Sequence, residues 1–312
     1  MAKKPVHFSV GLFPYDRWGG IKPIADAAKH ADDLGFYGLT FPEHIVMPVR
    51  PDVPPVSVMW YDNFVLASHV ATLTKRIRLI FNVMVIPYRN PVVAAKLIST
   101  LDQVSNGRLT VGVGAGWLRG EFRVLGVNAD DRGALTDEYL RAMKVLWTET
   151  NPEFRGKYVS FSRFAFEPKC VQKPHVRLWI GGSGKAPMRR VIEIGDGWAP
   201  MTGDLPDLKR DISLIKERAI AAGRDSDAFD FSYSVVVGER DAASDMARSH
   251  VSKDRDVALK QAQSPQEVIE LVNVYREAGF NHLGLGFKWE KPADYMRQCE
   301  WLAAKVLPAF KT

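Results

Sequence analysis

The feature that most constrains the fold is a regular alternation of short β-like runs with longer amphipathic stretches. This alternation is typical of βα units and favours a parallel sheet. The β-like runs number about eight, which is the strand number that closes a TIM barrel. They cover residues 7–12, 38–41, 77–83, 108–113, 177–180, 197–200, 231–237 and 282–287. The sequence therefore predicts an α/β protein with a (β/α)8 barrel.

The length of 312 residues fits one barrel, because such barrels often exceed ~250 residues as a single domain. We expect one domain over residues 1–312. Residues 151–176 do not fit a single βα unit, and residues 158–161 alternate like an exposed strand. This segment is too short for a core of its own, so the sequence predicts an insertion at the barrel rim.

Composition narrows the function classes. The net charge is +6 and the pI about 9.2, which fits ordinary solubility or an acidic ligand such as a phosphorylated coenzyme. Nucleic acid is a weaker interpretation, since no recognition motif accompanies the charge. No apolar run approaches the ~20 residues that span a bilayer, and no signal peptide is evident, so we expect a cytoplasmic protein without a membrane contact. Cys170 and Cys299 are far apart and outside any Cys/His cluster, which predicts no disulfide and no metal site.

Polar or glycine-rich residues recur directly after successive predicted strands, where barrels of this type build their active sites. They occupy residues 42–44, 82–84, 114–117 and 181–184. A lone histidine is more often structural than catalytic, but His44 ends a strand beside Glu43 and opens a long loop. That position suits a general acid or base near neutral pH.

Two glycine-rich segments predict ligand contacts. Gly181, Gly182 and Ser183 precede a predicted helix, so backbone N–H groups and the helix N-terminus could hold a phosphate, with Lys185 nearby and Arg189 and Arg190 in that helix. The alternative is a tight strand–helix turn without a ligand. The other segment includes Gly116 and Trp117 and lacks the spacing of a dinucleotide fold. There the backbone could approach a planar ring walled by Trp117, or Trp117 could simply pack under the rim.

Several stretches together resemble the luciferase-like flavin and deazaflavin oxidoreductases. They lie at Asn82, residues 87–91, 100–102, 105–108, 112–117, 179–183, 195–198 and 306–310. The resemblance implies a barrel with rim insertions, a homodimer, and FMN or the deazaflavin coenzyme F420. It is nearest to the F420-dependent branch, where a non-proline cis peptide often ends strand three; the matching bond is Asn82–Val83.

The same resemblance implies roles for single residues. Asn82, Val83, Gly116, Trp117 and Trp198 would lie against the coenzyme. Gly181, Gly182 and Ser183 would hold its phosphate, with Met201 and Thr202 close by. His44 matches a histidine that acts as base in sugar-phosphate dehydrogenases of the family, Glu43 would approach the ring, and Trp117 stands where those enzymes carry an acidic residue.

The resulting hypothesis is an F420-dependent oxidoreductase that moves a hydride between the deazaflavin ring and a small organic substrate. Residues 45–61, which include Trp60 and Tyr61, are expected to cover an apolar substrate. The first alternative is a monooxygenase that uses reduced FMN from a separate flavin reductase. The others are a non-catalytic flavin- or deazaflavin-binding protein and a phosphate-binding barrel enzyme unrelated to flavins.

Overall fold

The computed structural model describes residues 5–48, 57–238 and 262–310. The strands within these ranges are β1 (His7–Gly11), β2 (Gly38–Phe41), β3 (Arg78–Val85), β4 (Leu109–Gly114), β5 (Phe154–Arg155), β6 (Ser160–Phe161), β7 (Arg177–Gly181), β8 (Gly197–Ala199), β9 (Asp230–Val237) and β10 (His282–Phe287). The α-helices are α1 (Ile21–Asp33), α2 (Asn63–Leu73), α3 (Pro91–Val104), α4 (Arg119–Val124), α5 (Arg132–Thr148), α6 (Lys185–Glu193), α7 (Leu205–Ala221), α8 (Pro265–Ala278) and α9 (Pro292–Lys305).

The barrel closes in the order β1-β10-β9-β8-β7-β4-β3-β2, and every neighbouring pair is parallel. The predicted (β/α)8 barrel is thereby confirmed. Because all strands run the same way, their carboxyl ends meet at one mouth of the barrel, where catalytic residues of such folds are found. None of the described helices is both long and apolar enough to cross a membrane.

The third barrel strand departs from the prediction in one respect. It continues to Val85, two residues beyond the predicted end at 83. The Asn82–Val83 peptide is cis, as the resemblance implied, and the pairing with β4 shifts there from Phe81↔Val111 to Met84↔Val113. The strand thus bulges at Asn82 and Val83 and then resumes its pairing.

Residues 151–176 lie outside the barrel, between α5 and β7. The short antiparallel pair β5–β6 forms here, and its turn is held by the carboxylate of Glu138 on α5, which accepts hydrogen bonds from the backbone N–H groups of Lys157, Tyr158 and Val159. Further along, the backbone N–H of Gln172 donates to Asp102 on α3 at 3.0 Å. The segment therefore packs along the outer helices.

Buried polar anchors set the start of β3. The carboxylate of Asp32 at the end of α1 accepts hydrogen bonds from the backbone N–H groups of Lys75, Arg76 and Ile77, at 2.7 to 3.1 Å. Asp32 is 5% exposed, so these bonds are shielded from water. They fix where β3 enters the barrel and hence where its carboxyl end reaches the mouth.

Candidate active site at the carboxyl ends of the strands

The residues that follow β2, β3, β4 and β7 lie together at the barrel mouth. The backbone N–H of Val85 donates to Glu43 at 2.6 Å, which ties the end of β3 to the end of β2. The rings of His44 and Trp117 lie edge to face with centroids 6.1 Å apart. A Cβ built on Gly181 would lie 2.9 Å from Cγ1 of Val83. The structure therefore brings the segments around residues 43, 83, 117 and 182 to one site.

His44 is held by a carboxylate that sequence analysis did not identify. Its Nδ1 lies 2.9 Å from Oε2 of Glu121, which also accepts a hydrogen bond from the Tyr88 hydroxyl at 2.6 Å. The other oxygen, Oε1, accepts from the backbone N–H groups of Ile45 at 2.5 Å and Val46 at 3.2 Å. Glu121 is completely buried, and four donors surround its two oxygens.

These donors decide the charge of Glu121. Burial raises its pKa, but the hydrogen bonds from His44, Tyr88 and Ile45 outweigh burial and hold the pKa below its usual value. Glu121 is thus an anion near neutral pH and only accepts hydrogen bonds. It follows that Nδ1 of His44 carries the proton of this bond, and that Nε2 is the nitrogen left to exchange a proton.

Glu43 is also engaged by partners within the protein. Its Oε1 accepts a hydrogen bond from Arg89 at 2.7 Å, and Arg89 also binds Asp62 at 2.9 Å. Burial raises the pKa of Glu43, against the ion pair with Arg89 and the hydrogen bond from Val85. The other carboxylate oxygen of Asp62 caps α2 by accepting from the N–H groups of Phe64 and Val65. Arg89 thus joins the ends of β2 and β3 to the start of α2; a catalytic role for Glu43 stays a prediction.

The bulge of β3 forms a shelf between two glycine-lined strands. The side chain of Val83 lies over Gly112 and Gly114 of β4 and over Gly181 of β7, where an added Cβ would lie 3.4, 2.8 and 2.9 Å from its methyl carbons. Val83 is half-buried, and Asn82 beside it is exposed. A larger residue at Gly114 or Gly181 would displace Val83. One at Gly112 would clash with the Phe81 carbonyl oxygen. The glycines therefore let Val83 lie close to β4 and β7, so that a flat group can approach this surface.

Gly116 continues this surface at the start of the loop before α4. Its φ is +78°, and a Cβ there would lie 2.7 Å from Val85 and 2.8 Å from Phe122. Only glycine fits this position without moving those side chains. Trp117 follows directly and is 45% exposed, so its ring faces the mouth and is not packed beneath the rim.

The loop after β7 has the features of an anion-binding turn. Gly182 and Gly184 have φ of +95° and +96°, and Gly184 precedes α6 without a side-chain cap, which leaves the first N–H groups of that helix to another acceptor. Trp198 on β8 is completely buried and donates from Nε1 to the Gly182 carbonyl at 2.9 Å. The Ser183 hydroxyl donates to the Thr202 carbonyl at 3.1 Å.

The last contact brings Ser183 and Thr202 together, and Met201 beside them is 52% exposed; their place at a phosphate stays a prediction. Trp198 supports the loop from below and presents no surface at the mouth. Of the helix charges, Arg190 is buried against Asp137, and Arg189 pairs with Asp137 and Glu193 while its side chain stays 43% exposed. Both arginines therefore have carboxylate partners within the protein. Lys185, which is exposed, lies at the loop.

Glu121 could have been found from one local signal. It falls in the first turn of α4, directly after the glycine-rich loop, and the neighbouring Phe122 is buried. A buried acid that close to a strand end needs partners from elsewhere in the fold. Those partners could not be predicted from the sequence near Glu121, because His44 lies 77 residues away in the chain and Tyr88 lies 33 residues away.

No group of three or more His, Cys, Asp or Glu side chains able to hold a metal ion occurs in the part of the chain that the structure describes. A cavity of about 660 Å³ lies beyond the ends of β9 and β10 and is lined in part by Phe287, Trp289 and Trp301. It opens at the same end of the barrel as the His44 site, and His44, Val83 and Gly182 are not among the residues that line it.

Comparison with known proteins agrees with this fold. The family model of the luciferase-like monooxygenases matches residues 9–263. An uncharacterised protein of Mycobacterium tuberculosis is 34% identical over 232 residues, which cover 70% of this chain and 80% of that protein. The chain therefore belongs to the luciferase-like monooxygenase family, and it shares the family's oxidoreductase class.

Two further relatives differ in coenzyme. An FMNH2-dependent dimethylsulfone monooxygenase of Pseudomonas putida is 29% identical over 166 residues, covering 52% of this chain and 46% of that protein. The structure of an F420-dependent secondary alcohol dehydrogenase, in complex with an F420-acetone adduct, superimposes with a TM-score of 0.79 at 19% identity, over 99% of this chain and all of that one. At that identity the second likeness shows the fold alone.

Proposed function

We propose that the protein is an F420-dependent oxidoreductase that transfers a hydride between the deazaflavin ring and a carbinol or carbonyl carbon of a small organic substrate. The observation that carries this proposal is the buried Glu121 carboxylate on Nδ1 of His44, beside the shelf of Val83. It joins a proton carrier to a surface suited to a flat ring.

The residues present fit such a coenzyme. Its ring would lie against Val83 and the glycine backbone of β4, and its phosphate would lie at Gly182, Ser183 and the start of α6. Asn82, Gly116 and Trp117 border the ring in this arrangement, and Met201 and Thr202 border the phosphate. When bound, the coenzyme supplies the carbon that gives or takes the hydride.

The chain itself handles the proton. Oxidation of an alcohol releases a hydride from carbon and a proton from oxygen, and the carbon–oxygen double bond forms as both leave. Nε2 of neutral His44 takes that proton, while Glu121 steadies the imidazolium that results. In the reverse direction His44 returns the proton to the carbonyl oxygen as the hydride arrives.

A coenzyme titration tests the proposal. We expect F420 to bind with a Kd of about 1–10 μM or tighter, and FMN to bind at least about tenfold more weakly. Oxidised F420 should then lose its absorbance when a suitable alcohol is added. Tight FMN binding without F420 binding would contradict the proposal, and F420 binding with no absorbance change for any donor would favour the non-catalytic alternative.

The second candidate is a monooxygenase that receives reduced FMN from a separate flavin reductase. The FMNH2-dependent relative from Pseudomonas putida favours it. His44 and Glu121 could then handle protons during oxygen activation. Consumption of dioxygen with FMN and a reductase, and its absence with F420, would support this candidate.

The dimer implied by the resemblance remains a proposal, and helix α2 offers a surface for it. Val65 on α2 is 72% exposed and Val93 on the adjacent α3 is 54% exposed. Apolar side chains on the outer faces of neighbouring helices favour burial against another protein surface. Light scattering of the wild type and of Val65→Glu would test whether this face joins two copies.

A further inference from the structure

Four aromatic side chains on the β1 side of His44 pack against one another in a continuous cluster, which we call the aromatic wall: Phe13, Tyr15, Trp60 and Tyr61. Phe13 stacks on Trp60 with ring centroids 4.4 Å apart, and Tyr15 meets Trp60 and Tyr61 edge to face at 6.4 and 5.3 Å. Trp60 in turn meets the His44 ring at 4.7 Å. The wall therefore borders the proton carrier through Trp60.

Trp60 is held in place by a hydrogen bond at the edge of its ring and by stacking on one face. Its Nε1 donates to the Ser57 carbonyl at 3.1 Å, while Phe13 covers one face of its ring. A fixed indole next to His44 offers a flat apolar contact to whatever His44 protonates or deprotonates. Aromatic rings gain most from such a contact when they lie parallel or edge-on to the indole.

The charged groups closest to His44 are already paired. Glu121 accepts from four donors, and Glu43 and Asp62 both bind Arg89. Of these carboxylates, Glu121 and Glu43 are buried against their partners, and Arg89 binds Glu43 through one guanidinium nitrogen and Asp62 through another. A charged substrate would lose its hydration here without gaining a counter-charge.

One polar atom in the aromatic wall lacks a partner. Tyr15 is completely buried, and its hydroxyl has no hydrogen-bond partner among the described residues. Burial raises the pKa of this phenol, so it stays a donor at neutral pH. A buried donor without an acceptor is costly, and a ligand can supply the acceptor only if the neighbouring rings, which leave the hydroxyl no exposed surface, move aside.

From these observations we infer that the substrate of the proposed reaction is an uncharged aromatic compound whose ring packs against Trp60 and whose ring substituent offers an oxygen to the Tyr15 hydroxyl. The inference rests on the proposed function for the reacting carbon, which would be a carbinol or carbonyl carbon attached to that ring, with its oxygen at Nε2 of His44. The wall thus selects the substrate by shape and by one hydrogen bond.

Binding of defined alcohols to the full chain tests this, measured by calorimetry with and without coenzyme. The probes are 4-methoxybenzyl alcohol, 4-ethylbenzyl alcohol of similar size, cyclohexylmethanol and the anion 4-methoxybenzoate. We expect 4-methoxybenzyl alcohol to bind about tenfold more tightly than cyclohexylmethanol or the anion, and about threefold to tenfold more tightly than the ethyl compound.

Variants assign the effects to residues. Trp60→Leu should weaken binding of the aromatic alcohols about tenfold, whereas Trp301→Leu, beside the cavity at β10, should leave their binding unchanged. Tyr15→Phe keeps the ring and should remove the preference for methoxy over ethyl. Far-ultraviolet circular dichroism checks that each variant folds.

The possible results distinguish failure of the aromatic-substrate inference from failure of the proposed F420-dependent function. Equal binding of aromatic and saturated alcohols, or loss of binding in Trp301→Leu but not in Trp60→Leu, would overturn the inference even if F420 binds and turns over. Failure of F420 to bind while the aromatic preference persists in the coenzyme-free protein would overturn the proposed function and leave the aromatic wall as the binding surface. If Tyr15→Phe still binds 4-methoxybenzyl alcohol more tightly than 4-ethylbenzyl alcohol, the proposed hydrogen bond from the Tyr15 hydroxyl would be contradicted.

Discussion

Glu121 holds His44 through a 2.9 Å contact between its Oε2 and the histidine Nδ1, although 77 residues separate them in the chain. The carboxylate fixes which nitrogen carries the proton and stabilises the imidazolium once it forms. Of the residues at the barrel mouth, this pair is the one that most directly implies chemistry.

Replacing Glu121 with glutamine should lower turnover by about 10–100-fold, the usual range for a group that orients a functional histidine. The amide keeps the size of the side chain but loses its charge, so protonated His44 becomes less favourable. Steady-state kinetics would check this as a fall in kcat with coenzyme affinity unchanged, and an unchanged kcat would show that Glu121 only supports the loop at residues 45 and 46.

His44→Ala should lower turnover by roughly 10²–10⁴-fold and leave coenzyme affinity unchanged, because the imidazole moves a proton and does not hold the phosphate. The matched control is His69→Ala, an exposed histidine on α2. Equal turnover of the two variants would exclude His44 from the reaction.

Gly182→Ala should weaken coenzyme binding by roughly tenfold, since an added Cβ at φ +95° would distort the loop and would lie 3.3 Å from Pro187. Gly223→Ala is the control, because Gly223 also has a positive φ of +73° but follows α7 with open space around it. Both variants should lose about 1 kcal/mol of stability from backbone strain. Only the first should change the Kd measured by fluorescence titration.

Arg89→Met should destabilise the protein by about 3–5 kcal/mol at pH 7.5, because it leaves the Glu43 carboxylate buried without its cation. The Glu43 side chain is only 2% exposed, so water cannot replace the lost partner. Adding Glu43→Gln to Arg89→Met should recover part of this loss. Urea unfolding of both single variants and the double variant gives the coupling free energy between Glu43 and Arg89. Additive changes in the free energy of unfolding would show that this ion pair does not hold the ends of β2 and β3 together.

Stability should fall on acidification through a cluster at the opposite end of the barrel. Burial, with the nearby charge of His282, lowers the pKa of His7 from 6.5 to about 4. Between these values the unfolded chain binds a proton that the folded chain does not, so stability is lost as pH falls from about 6.5 toward 4. The free energy of unfolding should thus differ between pH 7 and pH 4.5. His7→Phe, which keeps the stacking on Tyr37, should reduce that difference by about 1 kcal/mol, after allowance for partial exposure of His7. Urea midpoints at the two pH values would measure it; the same pH dependence in both proteins would locate the effect elsewhere.

Much of the barrel was predictable because each element carries its own local signal. A glycine after an amphipathic stretch is a common helix stop, and Gly35 ends α1 in this way, with φ of +84° and backbone bonds that close the helix end. The run at 282–287 forms β10 with the predicted bounds. In contrast, β3 extends to Val85 because its pairing with β4 resumes after the bulge. That pairing depends on both strands together and could not be predicted from the sequence of β3 alone.

The site was predictable to the extent that it follows strand ends. The residues around 43, 83, 117 and 182 meet because a parallel barrel places those ends together. The partners of charged groups were not predictable: Glu121 for His44, Arg89 for Glu43 and Asp137 for Arg190 all come from distant segments. Charge near a site therefore cannot be assigned to a ligand until its partners within the fold are known.

A crystal structure of the protein with bound F420 would test the central claim most directly. The account predicts that the deazaflavin ring lies on the shelf of Val83 between His44 and the glycines of β4, with the phosphate at Gly182 and Ser183. A ring bound in the cavity beside Trp289 and Trp301, or a phosphate away from the start of α6, would contradict it.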